Sequence, residues 1–514
     1  MSKNLISRRG LLASTGYVAG GALLLGRSAR AEDLLGFKTE QKKSVDRNGA
    51  AYTDTHWDTP GEPGKDYTPV VTPNGWALPF KIVDGIKVFH MTAEEVPDHE
   101  FAQGLKADCW GYNGSVHGPT IEAVEGDRIK IYVTNKLSAP TSIHWHGLYL
   151  PNGMDGVAGL NQKAIQPGET FLYEFTLRQH GTYMYHSHHD EMTQMALGMM
   201  GVFVIHPRNP KTPRVDRDFA YMLSEWRIDP GAKKPNPLEM TDFNILTLNA
   251  RAFPGTAPMV VKQGERVRIR LTNLSAMDHH PIHLHGYQFK LVETDGGQIP
   301  ESAQWPEVTV LVPVGSTRTI EFLADEPGDW AFHCHMTHHV MNQMGHNIPN
   351  MIGVSGNEID KLVQPLLPEY MTMGEDGMGD MGEMGMQVPP NSLPMVGGEG
   401  PFDYITMGGM FTILKVHPNL TSYEDPGWYK HPSGTLATKA TKDQLSNDGI
   451  NKNGSSAPKA PKSIKRASLI APPPSLSSKN SNSVSKNYTC KMHPEINSKN
   501  PGSCPKCGMK LIIK

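Results

Sequence analysis

The sequence predicts an all-β chain built from two tandem copies of one β-sandwich domain, and three observations carry that expectation. Apolar and polar residues alternate over short runs such as Arg266-Val-Arg-Ile-Arg-Leu-Thr272, the period-two pattern of half-buried strands. Glycine- and proline-bearing turns separate these runs with no long helical period between them, as in a sandwich. Third, the pattern occurs twice. Pro119 to Asn135 (PTIEAVEGDRIKIYVTN) precedes His144-Trp-His146, and Pro258 to Asn273 (PMVVKQGERVRIRLTN) precedes His283-Leu-His285. Pro167-Gly168-Glu-Thr-Phe171 leads to a strand ending at His186, and Val314-Gly315-Ser-Thr-Arg318 to one ending at His333.

Taken in order, residues 1–31 read as an export signal. Ser7-Arg8-Arg9-Gly10-Leu11-Leu12 precedes a weakly apolar stretch, and Ala29-Arg30-Ala31 offers a small-residue cleavage site. The adjacent arginines resemble a twin-arginine leader, which implies a bacterial periplasmic protein. The apolar part is too short and glycine-rich to span a bilayer. Residues 80–207 form the first domain and 215–356 the second, joined by a Pro-, Arg- and Asp-rich linker. Residues 357–437 combine a methionine-rich segment, Met371 to Met395, with an extension expected to pack back on the body. Residues 440–487, rich in Ser, Lys, Asn and Pro, read as a disordered tether. Residues 488–514 form a small cysteine module.

The 514 residues hold 49 Lys and Arg against 52 Asp and Glu. With no large field of one sign, bulk composition offers nothing to nucleic acid or an anionic membrane, so small molecules or ions are the expected partners. Five cysteines do not make a disulfide framework. Cys109 and Cys334 stand alone and Cys490, Cys504 and Cys507 cluster; all but Cys109 read as metal ligands.

Twelve ligand-type residues lie in four short clusters: His144 and His146; His186 and His188; His280, His283 and His285; and His333, Cys334, His335, His339 and Met344. On a strand, His-x-His sets both imidazoles on one face. Imidazole alone does not choose among copper, zinc, iron and nickel. Cys334 does: pointing opposite to its two neighbours, it meets His280, His339 and Met344. One thiolate, two imidazoles and a weak thioether are the ligand set of a blue-copper electron-transfer centre.

These motifs, in order over both repeats, resemble those of the multicopper oxidases. The resemblance implies cupredoxin-like domains and four coppers per active unit. His144 and His283 would hold the type 2 copper. His146, His186 and His335 would hold one type 3 copper, and His188, His285 and His333 the other. His280, Cys334, His339 and Met344 would hold type 1. Asp155 matches the family's acidic position near type 2 and becomes the expected proton donor, with Asp190 and Glu191 as further candidates. Aligning the repeats sets Thr141 opposite His280, Ser187 opposite Cys334, Met192 opposite His339 and Leu197 opposite Met344, so the first repeat has no blue site. A chain of two such domains resembles the small laccase-like oxidases and implies a head-to-tail homotrimer whose clusters form between subunits.

The expected reaction is oxidation of a donor coupled to reduction of dioxygen to water. The methionine-rich segment resembles those of copper-resistance oxidases and points to cuprous ion; a small phenol is the alternative donor. A copper-binding buffer without turnover is the rival of another class. Copper nitrite reductase shares the two-domain trimer, but Thr141 and Ser187 stand where its blue site would be. Met192, Met195, Met199 and Met200 read as core packing. The terminal module, with Cys490, His493, Cys504 and Cys507, resembles the heavy-metal-binding domains of bacterial efflux proteins. It is read as a soft-ion site, with a structural zinc site or a Cys504–Cys507 disulfide as alternatives.

Overall fold

The structure, a computed structural model, describes residues 59–342 except 230, 240 and 242, together with 365, 390–393, 397–450 and 487–513. The expected leader at 1–31, Met344, and all but a few residues of the 371–395 segment lie outside the described residues. The chain divides into two compact units, Met1–Pro432 and Ser433–Lys514.

Within the first unit the alternating runs become strands, and their apolar positions face inward. In Arg128–Asn135 every second residue, Ile129, Ile131, Val133 and Asn135, is buried. This strand lies in a sheet ordered Phe80–Val83, Ile86–Ala102, Arg128–Asn135, Thr170–Thr176, with Leu105–Tyr112 also paired to the long second strand. The facing sheet runs Ile121–Val124, Met200–His206, Gly181–His186, His144–His146. Phe89, Ile131 and Phe175 from one sheet and Trp145, Tyr185 and Phe203 from the other share one core, the packing that defines a sandwich.

The second domain repeats the plan. One sheet runs Val70–Val71, Arg217–Trp226, Arg266–Asn273, Thr317–Leu323, Phe289–Thr294, Gly297–Gln298, and the other Met259–Lys262, Phe411–His417, Gly328–Cys334, His280–Leu284, Thr309–Val312. The duplicated turns coincide as well. Gly126 and Gly264 both have φ near +90° (87° and 91°), a backbone region glycine enters without a Cβ clash.

Two strands of the second domain's sheets lie outside the expected 215–356. Val70–Val71 lies before the first domain yet pairs in parallel with Arg217–Trp226 of the second. More consequentially, Phe411–His417 sits between Met259–Lys262 and Gly328–Cys334, the place that Met200–His206 occupies in the first domain. The second domain therefore does not close at 356. Its last strand arrives after an insertion, so the methionine-rich segment interrupts the domain rather than trailing it. The reason is physical: a buried central strand reads as a continuous apolar run, and this one is separated in sequence from the pattern that would identify it.

In the second unit, residues 442–447 of the expected tether form a short helix, Lys442–Asn447, closed by a capping box between Thr441 and Gln444. Tyr488–Thr489, Asn497–Ser498 and Ile512–Ile513 make a three-stranded sheet. No helix among the described residues is long and apolar enough to cross a membrane.

Candidate metal centres

The strand Gly328–Cys334 carries alternating side chains to opposite faces, so His333 and Cys334 diverge. Cys334 pairs across the sheet with Ile282, two residues from His280, and His333 pairs with His283. The sulfur lies 3.8 Å from Nδ1 of His280 and 3.5 Å from Nδ1 of His339, and those nitrogens are 3.1 Å apart. A point equidistant from the corners of that triangle is about 2 Å from each, the bonding distance of a first-row metal to imidazole and close to that for thiolate. All three residues are buried. Burial and the neighbouring His339 lower His280 to about 3, so its imidazole stays neutral and able to ligate. Burial pushes the Cys334 thiol up to about 12, so metal binding there would displace a proton. Met344, the expected fourth ligand, lies outside the described residues.

The outer nitrogens of both imidazoles are tied down. Nε2 of His280 is 2.6 Å from Ser275 Oγ, and Nε2 of His339 is 3.4 Å from Asp278 Oδ2. Such partners orient metal-bound imidazoles and raise their basicity. His279, which adjoins the ligand His280, accepts the backbone N–H of Val314 at 3.1 Å.

The eight remaining histidines form two quartets, one per domain. In the first domain His144 pairs across the sheet with His186, and its ring centroid lies 5.7, 5.3 and 5.4 Å from those of His146, His186 and His188. In the second, the His283 ring lies 4.7, 5.7 and 5.4 Å from those of His285, His333 and His335. Nε2 of His285 and Nε2 of His333 point at each other over 3.1 Å. The far nitrogens are held by the fold: Nδ1 of His144 by the Asp155 carbonyl at 2.8 Å, of His283 by the Val308 carbonyl at 2.7 Å, and of His333 by the Cys334 carbonyl at 2.8 Å. Burial lowers His186 to about 3. Among the described residues the ring contacts run within each quartet.

The carboxylate of Asp155 lies 3.4 Å from Nδ1 of His144, and Glu191 lies 3.5 Å from His186 and 3.9 Å from His188. Both expected acids are therefore beside the first quartet. Asp190, the other candidate, precedes the helix Glu191–Ala196 in a left-handed conformation.

Where the first repeat lacks blue-site ligands, the structure shows what replaces them. Thr141 and Ser187 both donate to Oε1 of Gln194, at 2.7 and 2.5 Å, while Gln194 Nε2 donates to the Pro140 carbonyl at 2.8 Å. All three side chains are buried. Sequence reasoning passes over Gln194, Ser275 and Asp278 because none belongs to a recognisable spacing; only the nearness of the last two to His280 was available as a signal. Of the methionine group read as core, Met199 and Met200 are buried, but Met192 is exposed. Cys109 is buried among Val96, Phe101, Leu105 and Trp226, a packing role.

In the terminal module, Cys490 Sγ lies 3.9 Å from His493 Nδ1 and 3.6 Å from Cys507 Sγ, and Cys504 Sγ lies 3.7 Å from His493 Nδ1. Ligands about 2.0–2.3 Å from a tetrahedral metal stand about 3.3–3.8 Å apart, so the four side chains match a four-coordinate site. Cys504 and Cys507 are free, against the disulfide alternative. Burial works against ionisation of Cys490, yet the Met492 N–H and His493 lower its thiol to about 6.

Two family models described as multicopper oxidase match residues 95–210 and 229–353, and one described as a heavy metal binding domain matches 487–514. Copper resistance protein A of Escherichia coli is 28% identical over 320 residues, covering 52% of this chain and 51% of that protein. Copper resistance protein A of Pseudomonas syringae pv. tomato is 30% identical over 256 residues, covering 40% and 41%. The chain thus spans about half the length, or less, of these relatives. A solved multicopper oxidase, mgLAC, is 27% identical with a TM-score of 0.49, covering 66% of this chain and 91% of that one.

Proposed function

Because the chain carries two multicopper oxidase domains followed by a heavy metal binding domain, we propose that it oxidises cuprous ion, for copper tolerance, at the expense of dioxygen. The observation that carries this reading is Cys334. Its sulfur closes the His280 and His339 triangle, while its chain neighbours His333 and His335 belong to the second quartet. Copper bound at these positions supplies one-electron transfer at the mononuclear site and four-electron reduction of dioxygen at the trinuclear one. The chain's part is positioning: a few covalent bonds from Cys334 to the flanking histidines link the two sites. His280, Cys334, His339 and Met344 are assigned to type 1, His144 and His283 to type 2, and the remaining six cluster histidines to type 3, for four coppers per active unit. Asp155, beside His144, is assigned to proton delivery.

The separation of the quartets within one chain supports a head-to-tail homotrimer in which quartet one of each subunit meets quartet two of the next. The leader motif at residues 7–12 supports action in the periplasm after twin-arginine export. The terminal Cys490–His493–Cys504–Cys507 site is assigned to a soft metal ion. A laccase-like reaction on phenols is the second reading, favoured by a cavity whose wall includes the apolar side chains of Trp226, Phe243 and Leu274.

Oxygen-electrode traces with cuprous ion and a phenol as competing donors test the choice. Cuprous oxidation that dominates, and weakens on deletion of 371–395, is expected. Vigorous phenol turnover unaffected by that deletion, with negligible cuprous oxidation, overturns it.

A further inference from the structure

The three thiols of the terminal module differ in their surroundings. Cys490 and Cys504 are 1% and 2% exposed and pack with Leu511, Tyr488 and Ile496 in the module's small core. Cys504 is also fixed by its backbone, whose N–H donates to the Met509 carbonyl at 2.7 Å while its carbonyl accepts from Gly508 at 2.8 Å. Its sulfur faces the His493 imidazole. Cys507, in contrast, is exposed and lies in the turn that those two backbone bonds close. Its sulfur is 3.6 Å from that of Cys490, a residue 17 positions away in sequence. A disulfide is about 2.05 Å long, so the pair closes with a shift of about 1.5 Å, which an exposed side chain on a turn can make.

An exposed thiol with a second thiol beside it is the arrangement that a hydroperoxide oxidises in two steps. The sulfur attacked first must be reachable from solvent, which selects Cys507. The sulfur that resolves the product must stand next to it, which selects Cys490. A metal ion held by all four side chains engages both sulfurs and withholds them from oxidation. A disulfide between them leaves only His493 and Cys504, too few ligands for a closed tetrahedral site. The 17-residue separation also gives this link more loop entropy to remove from the unfolded chain than a link between Cys504 and Cys507 would have.

We propose that Cys490 and Cys507 form a peroxide-sensitive pair that closes to a disulfide when the module is empty and is kept open by a bound soft metal ion. The inference rests on the soft-ion assignment of the module above. The oxidant is hydrogen peroxide. In the first step the Cys507 sulfur attacks one peroxide oxygen, the O–O bond breaks, and a sulfenic acid and one water form. In the second the Cys490 sulfur attacks the sulfenic sulfur, the S–S bond forms, and the hydroxyl leaves with the thiol proton as a second water. Two electrons pass from the thiol pair to the peroxide, and both thiol protons end in water. The module therefore takes up metal only in its reduced form.

The experiment uses the full-length protein with its oxidase coppers in place, its module reduced with a phosphine and stripped with a cuprous chelator under nitrogen. Trypsin cleaves after Lys486, Lys491, Lys499, Lys506 and Lys510, which leaves Cys490, Cys504 and Cys507 on separate peptides. After a brief exposure to hydrogen peroxide and trapping of the remaining thiols with iodoacetamide, mass spectrometry is expected to find Asn487–Lys491 joined to Cys507–Lys510. Bound silver should fall by about one ion per chain, and phosphine should restore it. Silver added before the peroxide should slow closure by about tenfold or more. Cys507→Ser should leave Cys490 open to iodoacetamide after the same dose, whereas Cys504→Ser should still close. A module that forms no disulfide, a Cys504–Cys507 link as the main product, or closure at the same rate with silver bound overturns the proposal. If the reduced protein binds no silver at the module, the soft-ion assignment fails, while the peptide map of the metal-free module still decides whether the pair closes.

Discussion

A head-to-tail ring makes a quantitative prediction about mixed subunits. Let one chain carry His146→Ala and His186→Ala, which removes quartet one, and let another carry His285→Ala and His333→Ala, which removes quartet two. Each alone should be inactive, because every cluster in a ring of identical subunits inherits the same defect. In a ring holding both kinds, a subunit with an intact first quartet must precede a subunit with an intact second quartet. Whether the ring contains two of one kind or two of the other, that order occurs once per circuit. Hybrid trimers isolated through two different affinity tags should therefore show about one third of parental dioxygen uptake. The surviving cluster also has an intact Cys334 site, since that residue travels with the unmutated second quartet. Co-expression, tandem purification and an oxygen electrode suffice. Inactive hybrids with normal copper loading, or a fully active monomer in light scattering, would refute the arrangement.

Three further outcomes are expected. Cys334→Ser should abolish the blue absorption and dioxygen uptake together, because it removes the sulfur corner of the ligand triangle; colour and uptake left unchanged would end the assignment. Asp155→Asn should slow dioxygen reduction by about 100-fold, the lower range for a positioned proton carrier, while stopped-flow reduction of the blue centre by donor proceeds as before; equal slowing of both contradicts the role. Gln194→Leu should lower unfolding free energy by roughly 2–4 kcal/mol in denaturant titration, since it strands buried Thr141 and Ser187 hydroxyls at about 1–3 kcal/mol each, less what alternative acceptors recover. A variant as stable as the parent would show those hydroxyls already satisfied elsewhere.

The histidine and cysteine clusters were legible in sequence because a coordination set repeats short spacings. His144-Trp-His146 lies wholly on a strand, where the pleat sets both rings on one face, whereas His188, His285 and His335 fall just beyond the ends of the strands that carry their partners. The sandwich was legible for a similar reason, as in Arg128–Asn135, where alternation is direct evidence of one buried face. Legibility fails where structure depends on residues distant in sequence. Phe411–His417 is needed to complete the second domain, but no local pattern says which sheet it enters. Gln194 and Asp278 carry common side chains whose roles arise from what the fold brings beside them.

The difference between the two repeats explains the organisation of the whole body. Both repeats place a histidine cluster beside a small buried polar pocket. In the second repeat that pocket holds Cys334, His280 and His339. In the first it holds Thr141, Ser187 and Gln194, hydrogen-bonded to one another and to the Pro140 carbonyl. Buried polar groups persist only when paired, and the Thr141, Ser187 and Gln194 bonds meet that condition where the second repeat has cysteine and histidine. In the proposed head-to-tail ring the first quartet would lie beside the next subunit's Cys334. Placing histidine and cysteine at 141 and 187 while Gln194 remains should not yield a second blue centre, because the amide lies between those two side chains; a second blue band in that variant would show that the amide moves aside.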